Sequence, residues 1–287
     1  MEWRNENGKK NFFERIEQNL DLQNEYEKLE IIVLKYTDDY NMSLNDEIES
    51  YFDLWKYKKN YLSFAELRSH LGFTYTKAWD YSFNAKIESI DDFFVYCEMI
   101  LNMILVVLPE EAQIENENII KKIIYIINYD LESLNYTVSK MSDDQYIIIQ
   151  KNAAVSEVVD LVEPTLADSI LEYNHYVLKG DLERKKNILI KIANALEPLK
   201  GEIKATNYQL YKDYFYLINN MDIRHNNCDI SNTKNYNEVF VKMSDQEKEE
   251  WYDEIYQMGL LIFLLRENKE RSTKIANIKN LQSYSKK

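Results

Sequence analysis

Five glycines and three prolines are all that 287 residues offer for tight turns and strand ends. All-β and doubly wound proteins need such residues at most of their connections, so a chain this poor in them is expected to be mainly α-helical. Apolar residues bear this out by recurring at steps of three and four. Leu22, Tyr26, Leu29, Val33 and Tyr36 fall on one side of a helix, as do Ile120, Ile124, Ile127, Leu131 and Leu134. Leu189, Ile192, Leu196 and Leu199 form a third stripe, with Pro198 expected to end that helix before its last member. Trp251, Ile255, Met258, Ile262 and Leu265 form the strongest.

Ser63 with Glu66 and Ser244 with Glu247 have the spacing of capping boxes and mark helix starts. One segment breaks the helical rhythm. In Asn135 to Gln150, Tyr136 and Val138, then Tyr146 and Ile148, alternate around a Ser-Asp-Asp turn, which predicts a small β-hairpin packed on neighbouring helices. Pro109 and Pro164 suggest three regions: an N-terminal helical region over 1–110, a helix plus hairpin over 111–164, and a C-terminal helical region over 165–287.

The apolar runs Phe93 to Leu108 and Ile255 to Leu265 are too short to cross a bilayer, which takes roughly 20 residues, and the first carries Glu98 and Asn102. Both are expected to be buried helices, and no membrane association is expected. The N-terminal residues lack the apolar core of a secretion signal, and two widely spaced cysteines, Cys97 and Cys228, fit a reducing compartment, so a cytoplasmic location is the expectation. A net charge of −14 argues against a general DNA-coating role. The stretches from Lys179 to Lys204 and from Arg266 onward lean basic and are expected to be solvated helix faces or a tail.

Gly-rich nucleotide-binding fingerprints and a nucleophile elbow are absent. Three histidines and two cysteines, of which only His225 and Cys228 lie close together, do not make a zinc site, so neither metal nor cofactor is expected. Asp38-Asp39, Asp91-Asp92 and Asp143-Asp144 suit helix starts and turns better than catalytic pairs. Ser63 to Tyr81 has the rhythm of a helix-turn-helix, with Leu67, Leu71, Gly72, Phe73 and Ala78 at its buried positions. Arg68 stands where two such helices need a small residue, and Lys77 alone is basic on the second, so a structural helical hairpin is expected.

The densest polar cluster lies in Tyr208 to Asp229. Tyr211, Phe215 and Ile218 make a stripe that, continued, carries Asp222 and His225, while Arg224 lies on the adjoining one with Tyr214, Leu217 and Met221. Arg224, His225, Asn226 and Asn227, with Asn220 just before them, gather where a helix gives way to a loop. A structural role would pair His225 with Asp222 and set Arg224 on helix-end carbonyls. His175, before the Lys179-Gly180-Asp181 turn, suits a packing or capping role.

With its long helices, the Arg224-His225-Asn226-Asn227 run, the loop after it and the final helix from Trp251, the C-terminal half resembles the HEPN-type helical domains of bacterial abortive-infection proteins. The resemblance covers about residues 120 to 287. It implies a cytoplasmic, defence- or RNA-associated protein that forms homodimers and, if an enzyme, acts as a metal-independent ribonuclease. Arg224 would then hold phosphate, His225 would act as base on the 2′-hydroxyl, and Asn220, Asn226 and Asn227 would help bind RNA. The sequence departs from the family pattern, because His225 occupies the polar slot beside the arginine and Asp229 stands where the catalytic histidine is expected. Hence the other expectation is a non-enzymatic helical module that binds a protein partner.

Overall fold

The computed structural model describes residues 20–35, 42–77 and 81–284. The protein is mainly α with a small hairpin, as the composition requires. It forms two compact units, one ending at Ile148 and the other beginning at Ile149. The two prolines that suggested divisions near 110 and 164 each sit at a helix start instead.

In the first unit, α1 (Leu22–Leu34) starts at Asp21, whose carboxylate accepts from the Asn24 amide, and α2 (Leu44–Tyr51) starts at a full capping box of Ser43 and Asp46. Then come α3 (Phe64–His70), a ladder of β1 (Tyr75–Lys77) and β2 (Tyr81–Phe83), and α4 (Ile90–Asn102), which passes into a π-turn over Met103–Val107. The unit continues with α5 (Glu110–Glu115), α6 (Glu117–Ser133), β3 (Tyr136–Lys140) and the first three residues of β4 (Tyr146–Gln150), whose last two belong to the second unit. Tyr26, Leu29 and Val33 are buried as expected, while Tyr36, Asp38 and Asp39 lie outside the described residues. On α6 the buried line runs through Ile120, Ile123, Ile127 and Leu131, with Ile124 half-buried beside it.

The helical hairpin expected over Ser63 to Tyr81 is replaced by a helix followed by an antiparallel ladder in which Tyr75 faces Phe83. Arg68, at the position where two helices would have to touch, is engaged on both sides of the turn. It is buried and reaches Glu30 of α1 at 2.7 Å, donates to the Phe73 carbonyl at 3.2 Å, and lies over the rings of Phe64 and Tyr75. The chain after α3 thus has to turn back across the guanidinium. Ala78, a buried position of the expected hairpin, lies outside the described residues.

The run from Phe93 to Leu108 is a buried helix, and no helix is long and apolar enough to cross a membrane among the described residues. Both polar residues of that run are engaged. The Glu98 carboxylate accepts from the Ile148 amide at 2.6 Å, and the Asn102 side chain bonds both the carbonyl and the amide of Tyr146. One turn apart on α4, they hold β4 by its backbone.

The second unit contains α7 (Ala153–Val159), α8 (Pro164–Tyr173), α9 (Leu182–Leu196), α10 (Lys200–Thr206), α11 (Tyr208–Asn220), α12 (Glu238–Lys242) and α13 (Asp245–Tyr284). Pro198 ends α9, as expected, through a 3-10 turn over Glu197–Leu199. Ser244 and Glu247 form the capping box that opens α13. Helices α7, α9, α10 and α11 all pack on the first half of α13, whose interior face is Tyr252, Ile255, Tyr256, Leu260, Ile262 and Phe263. Trp251, placed in the core stripe by its spacing, is 39% exposed and faces outward.

Two measurements check this arrangement. Ile262 is 2% exposed, so Ile262→Asp buries an unpaired charge and should cost several kcal/mol; an unchanged melting temperature would misplace α13. Asp130 on α6 is buried with one carboxylate oxygen unbonded, and burial, helped by Glu25, raises its pKa from 3.8 to about 7. Because the folded value lies above the unfolded one, its contribution to stability is full below about pH 4 and is lost as pH rises through about 7. Asp130→Asn should gain in melting temperature over the parent as pH goes from about 5 to about 8, and a gap that stays constant would refute this.

Candidate functional site

Helix α11 ends where Asp222 adopts a left-handed conformation, with φ of 58°. Glycine usually fills such a position, and aspartate tolerates it when its short side chain bonds nearby backbone. That bond is present and reciprocal. The Asp222 amide donates to Asn227 Oδ1 and the Asn227 amide donates to Asp222 Oδ1, both at 2.8 Å. Asn227 Nδ2 also donates to the carbonyls of Asn219 and Asn235, and the Asn227 carbonyl accepts from the Asn237 amide at 2.9 Å. Asn227 is 1% exposed, and its polar atoms are all engaged in closing the loop.

The rest of the loop is tied in the same way. Asn237 donates from Nδ2 to the Asn220 carbonyl at 2.8 Å, while its Oδ1 accepts from the amides of Val239 and Phe240 and so starts α12. Asp229 accepts from the hydroxyl and amide of Ser231, and these bonds hold its pKa below the usual carboxylate value. The position where the resemblance expects a catalytic histidine is thus an ionised turn residue.

Both charged residues of the cluster have partners on other elements. Asp222 is paired with Lys186 of α9, so the expected Asp222–His225 pair does not form. Arg224 bonds Glu197 in the turn after α9, where Lys200 binds the other carboxylate oxygen at 2.5 Å. It does not bond the helix-end carbonyls; its own amide donates to the Ile218 carbonyl at 3.0 Å. The Lys200 bond first, and Arg224 second among the cations, keep Glu197 below its ordinary pKa. His225 is half-buried, and its imidazole forms no hydrogen bond with the described residues. Asn226 is exposed, and the Asn220 side chain bonds the Tyr216 carbonyl one turn back. Arg224 and His225 are therefore adjacent, Asn227 lies inside the loop, and Asn220 is turned onto its own helix. Arg224 also borders a hollow of about 180 Å³ with Ile190, Ala193, Asn194 and Ile223.

A second polar cluster has no counterpart among the motifs visible in the sequence. Lys185 of α9 is buried between Glu249 and Asp253 of α13, 2.7 Å from each, with its ammonium 5.2 Å above the Tyr173 ring. Tyr173 donates to Asp253 at 2.8 Å and stacks on Tyr256 at 3.9 Å. A signal for it exists: Glu249, Asp253 and Tyr256 recur at steps of four and three on α13. The basic lean from Lys179 to Lys204 is reduced for the same reason, since Arg184, Lys185, Lys186 and Lys200 each hold a carboxylate. His175 precedes a 3-10 turn and forms an isolated bridge with Ile149. Among the described residues no three potential metal ligands come together.

Comparison with protein-family models, with curated proteins and with solved structures gives no match.

The loop geometry has a measurable consequence. Asn227→Ala should leave the buried Asp222 amide and the Asn219 carbonyl unpaired, lowering stability by about 1–3 kcal/mol, whereas exposed Asn226→Ala should stay within about 0.5 kcal/mol of the parent. Equal urea midpoints for the two variants would show that Asn227 does not close the loop.

Proposed function

We propose that this protein acts by binding a partner through its helical surfaces and does not cut RNA. The observation that carries this reading is the engagement of Arg224. One guanidinium nitrogen is held by Glu197, so a phosphate brought to Arg224 would meet that carboxylate's negative charge beside it. Two further facts support it: Arg184, Lys185 and Lys186 of α9 and Lys200 at the start of α10 each hold a carboxylate within the unit, and an ionised Asp229 stands in the expected histidine position. The distal half of α13, with Ile275, Ile278 and Leu281 exposed, supplies a surface suited to a partner. The setting is the cytoplasmic, phage-defence one that the HEPN resemblance implies.

One observation favours the other reading, a weak metal-independent ribonuclease. The His225 imidazole makes no hydrogen bond to the described residues, and the neighbouring Arg224 borders a hollow.

Measuring RNA cleavage in EDTA together with thermal stability separates the two. A binding protein leaves RNA intact. Arg224→Ala and Glu197→Ala should then each cost up to about 1 kcal/mol, as expected for a partly exposed ion pair, and the double variant should cost little more than either. A ribonuclease requires that the parent cut RNA and that His225→Ala lose about a hundred- to ten-thousand-fold in rate with its stability kept.

A further inference from the structure

Helix α13 is 40 residues long, about 60 Å at roughly 1.5 Å per residue. Its last buried residue is Phe263, Arg266 and Lys269 still reach Glu202 of α10, and from Asn268 to Lys279 every residue is exposed. Helices in proteins draw most of their stability from a packed apolar face, and this segment carries Ile275, Ile278 and Leu281 on its surface without one. Their order is informative. Leu261, Leu264, Asn268, Arg271, Ile275 and Ile278 follow one another at steps of 3, 4, 3, 4 and 3, the spacing of a seam that faces another helix. Leu261 is 44% exposed, Ile275 47% and Ile278 56%, while Ile262 and Phe263, next to Leu261 in the chain, face the core. The seam therefore looks away from the core of its own unit.

The seam is also palindromic in character: two apolar positions, two polar ones, two apolar ones. Laid antiparallel on a second copy of itself, it sets Leu261 opposite Ile278, Leu264 opposite Ile275 and Asn268 opposite Arg271, so apolar meets apolar and an amide oxygen meets a guanidinium. The flanks agree. On one side of the seam lie Glu267 and Lys274, and the antiparallel order brings Glu267 of each copy beside Lys274 of the other. Lys274 has no acidic partner among the described residues. Parallel order would set Arg271 against Arg271 and Lys274 against Lys279, placing like charges at the seam and its flank. We propose that the distal half of α13 pairs antiparallel with the same helix of a second copy, through Leu261, Leu264, Ile275 and Ile278, with Glu267 and Lys274 setting the direction. This pairing rests on the partner-binding function and names the partner. A two-fold contact of this type is self-complementary and closes at two copies.

The full-length protein tests it. Sedimentation at micromolar concentration should give a dimer, and Ile275→Glu with Ile278→Glu should give a monomer that still unfolds cooperatively, since both residues are exposed in the single chain. Glu267→Lys and Lys274→Glu should each weaken the dimer several-fold, and the two together should restore it. For direction, with Cys228→Ser as background, a chain carrying Leu261→Cys mixed with one carrying Ile278→Cys should form a mixed disulfide on oxidation, and neither alone should cross-link. A monomeric parent, self-cross-linking by Leu261→Cys, or a double charge variant weaker than either single one would overturn the proposal. A monomer that leaves RNA intact overturns the dimer and not the partner-binding function; a dimer that cuts RNA in EDTA does the reverse.

Discussion

The C-terminal unit depends on the close approach of α9 and α11 to the middle of α13. At Gly259 a Cβ atom would lie 3.0 Å from Ile192 Cγ2, a tight contact that would push Ile192 aside by a few tenths of an ångström, and 3.7 Å from the Tyr214 hydroxyl, so the glycine eases the meeting of the three helices there. Around that point Leu189, Ile192, Tyr214, Ile218, Ile255 and Leu260 are buried together, and the neighbouring Lys185–Glu249–Asp253 cluster fixes α9 along α13. Buried charge of this type is costly to desolvate and has to be fully bonded. It contributes register more than net stability, because a one-turn slip of α9 would leave Lys185 without either carboxylate.

The candidate site is a consequence of the same packing. Lys186 and Glu197 belong to α9 and to the turn that Pro198 imposes after it, and they present one cation and one anion to the end of α11. Asp222 and Arg224 answer with the opposite charges. Between them the chain turns back through a left-handed aspartate whose geometry Asn227 secures from inside the loop. Of the cluster that the sequence singles out, Asp222, Arg224 and Asn227 are bonded into the helix end, and the His225 imidazole forms no hydrogen bond with the described residues.

In the N-terminal unit the comparable constraint is Glu30 with Arg68. Burial raises the pKa of Glu30, and Arg68 offsets that by charge and contact. The pair ties α1 to α3, and the chain after Gly72 returns as a short ladder across Arg68. That explains why an arginine occupies the position where two helices of a DNA-binding hairpin would have to touch.

Several features were legible from the chain alone: helical dominance from the lack of Gly and Pro, the buried stripes on α1 and α9, the capping box that opens α13, the end of α9 at Pro198 and the hairpin over 136–150. Each is decided by local periodicity or by the conformational limits of single residues, which act over one or two turns. What the sequence could not decide was which partner each charged or polar side chain would find. Arg68 reaches a carboxylate 38 residues away, Arg224 one 27 away, Lys185 one 68 away, and Asn102 the backbone of a residue 44 away. A charge has no periodicity, and a guanidinium looks the same in sequence whether it awaits a phosphate or is already bound. Only the folded chain brings Glu197 to Arg224, and for the same reason only the folded chain shows that the outward seam of α13 is left uncovered.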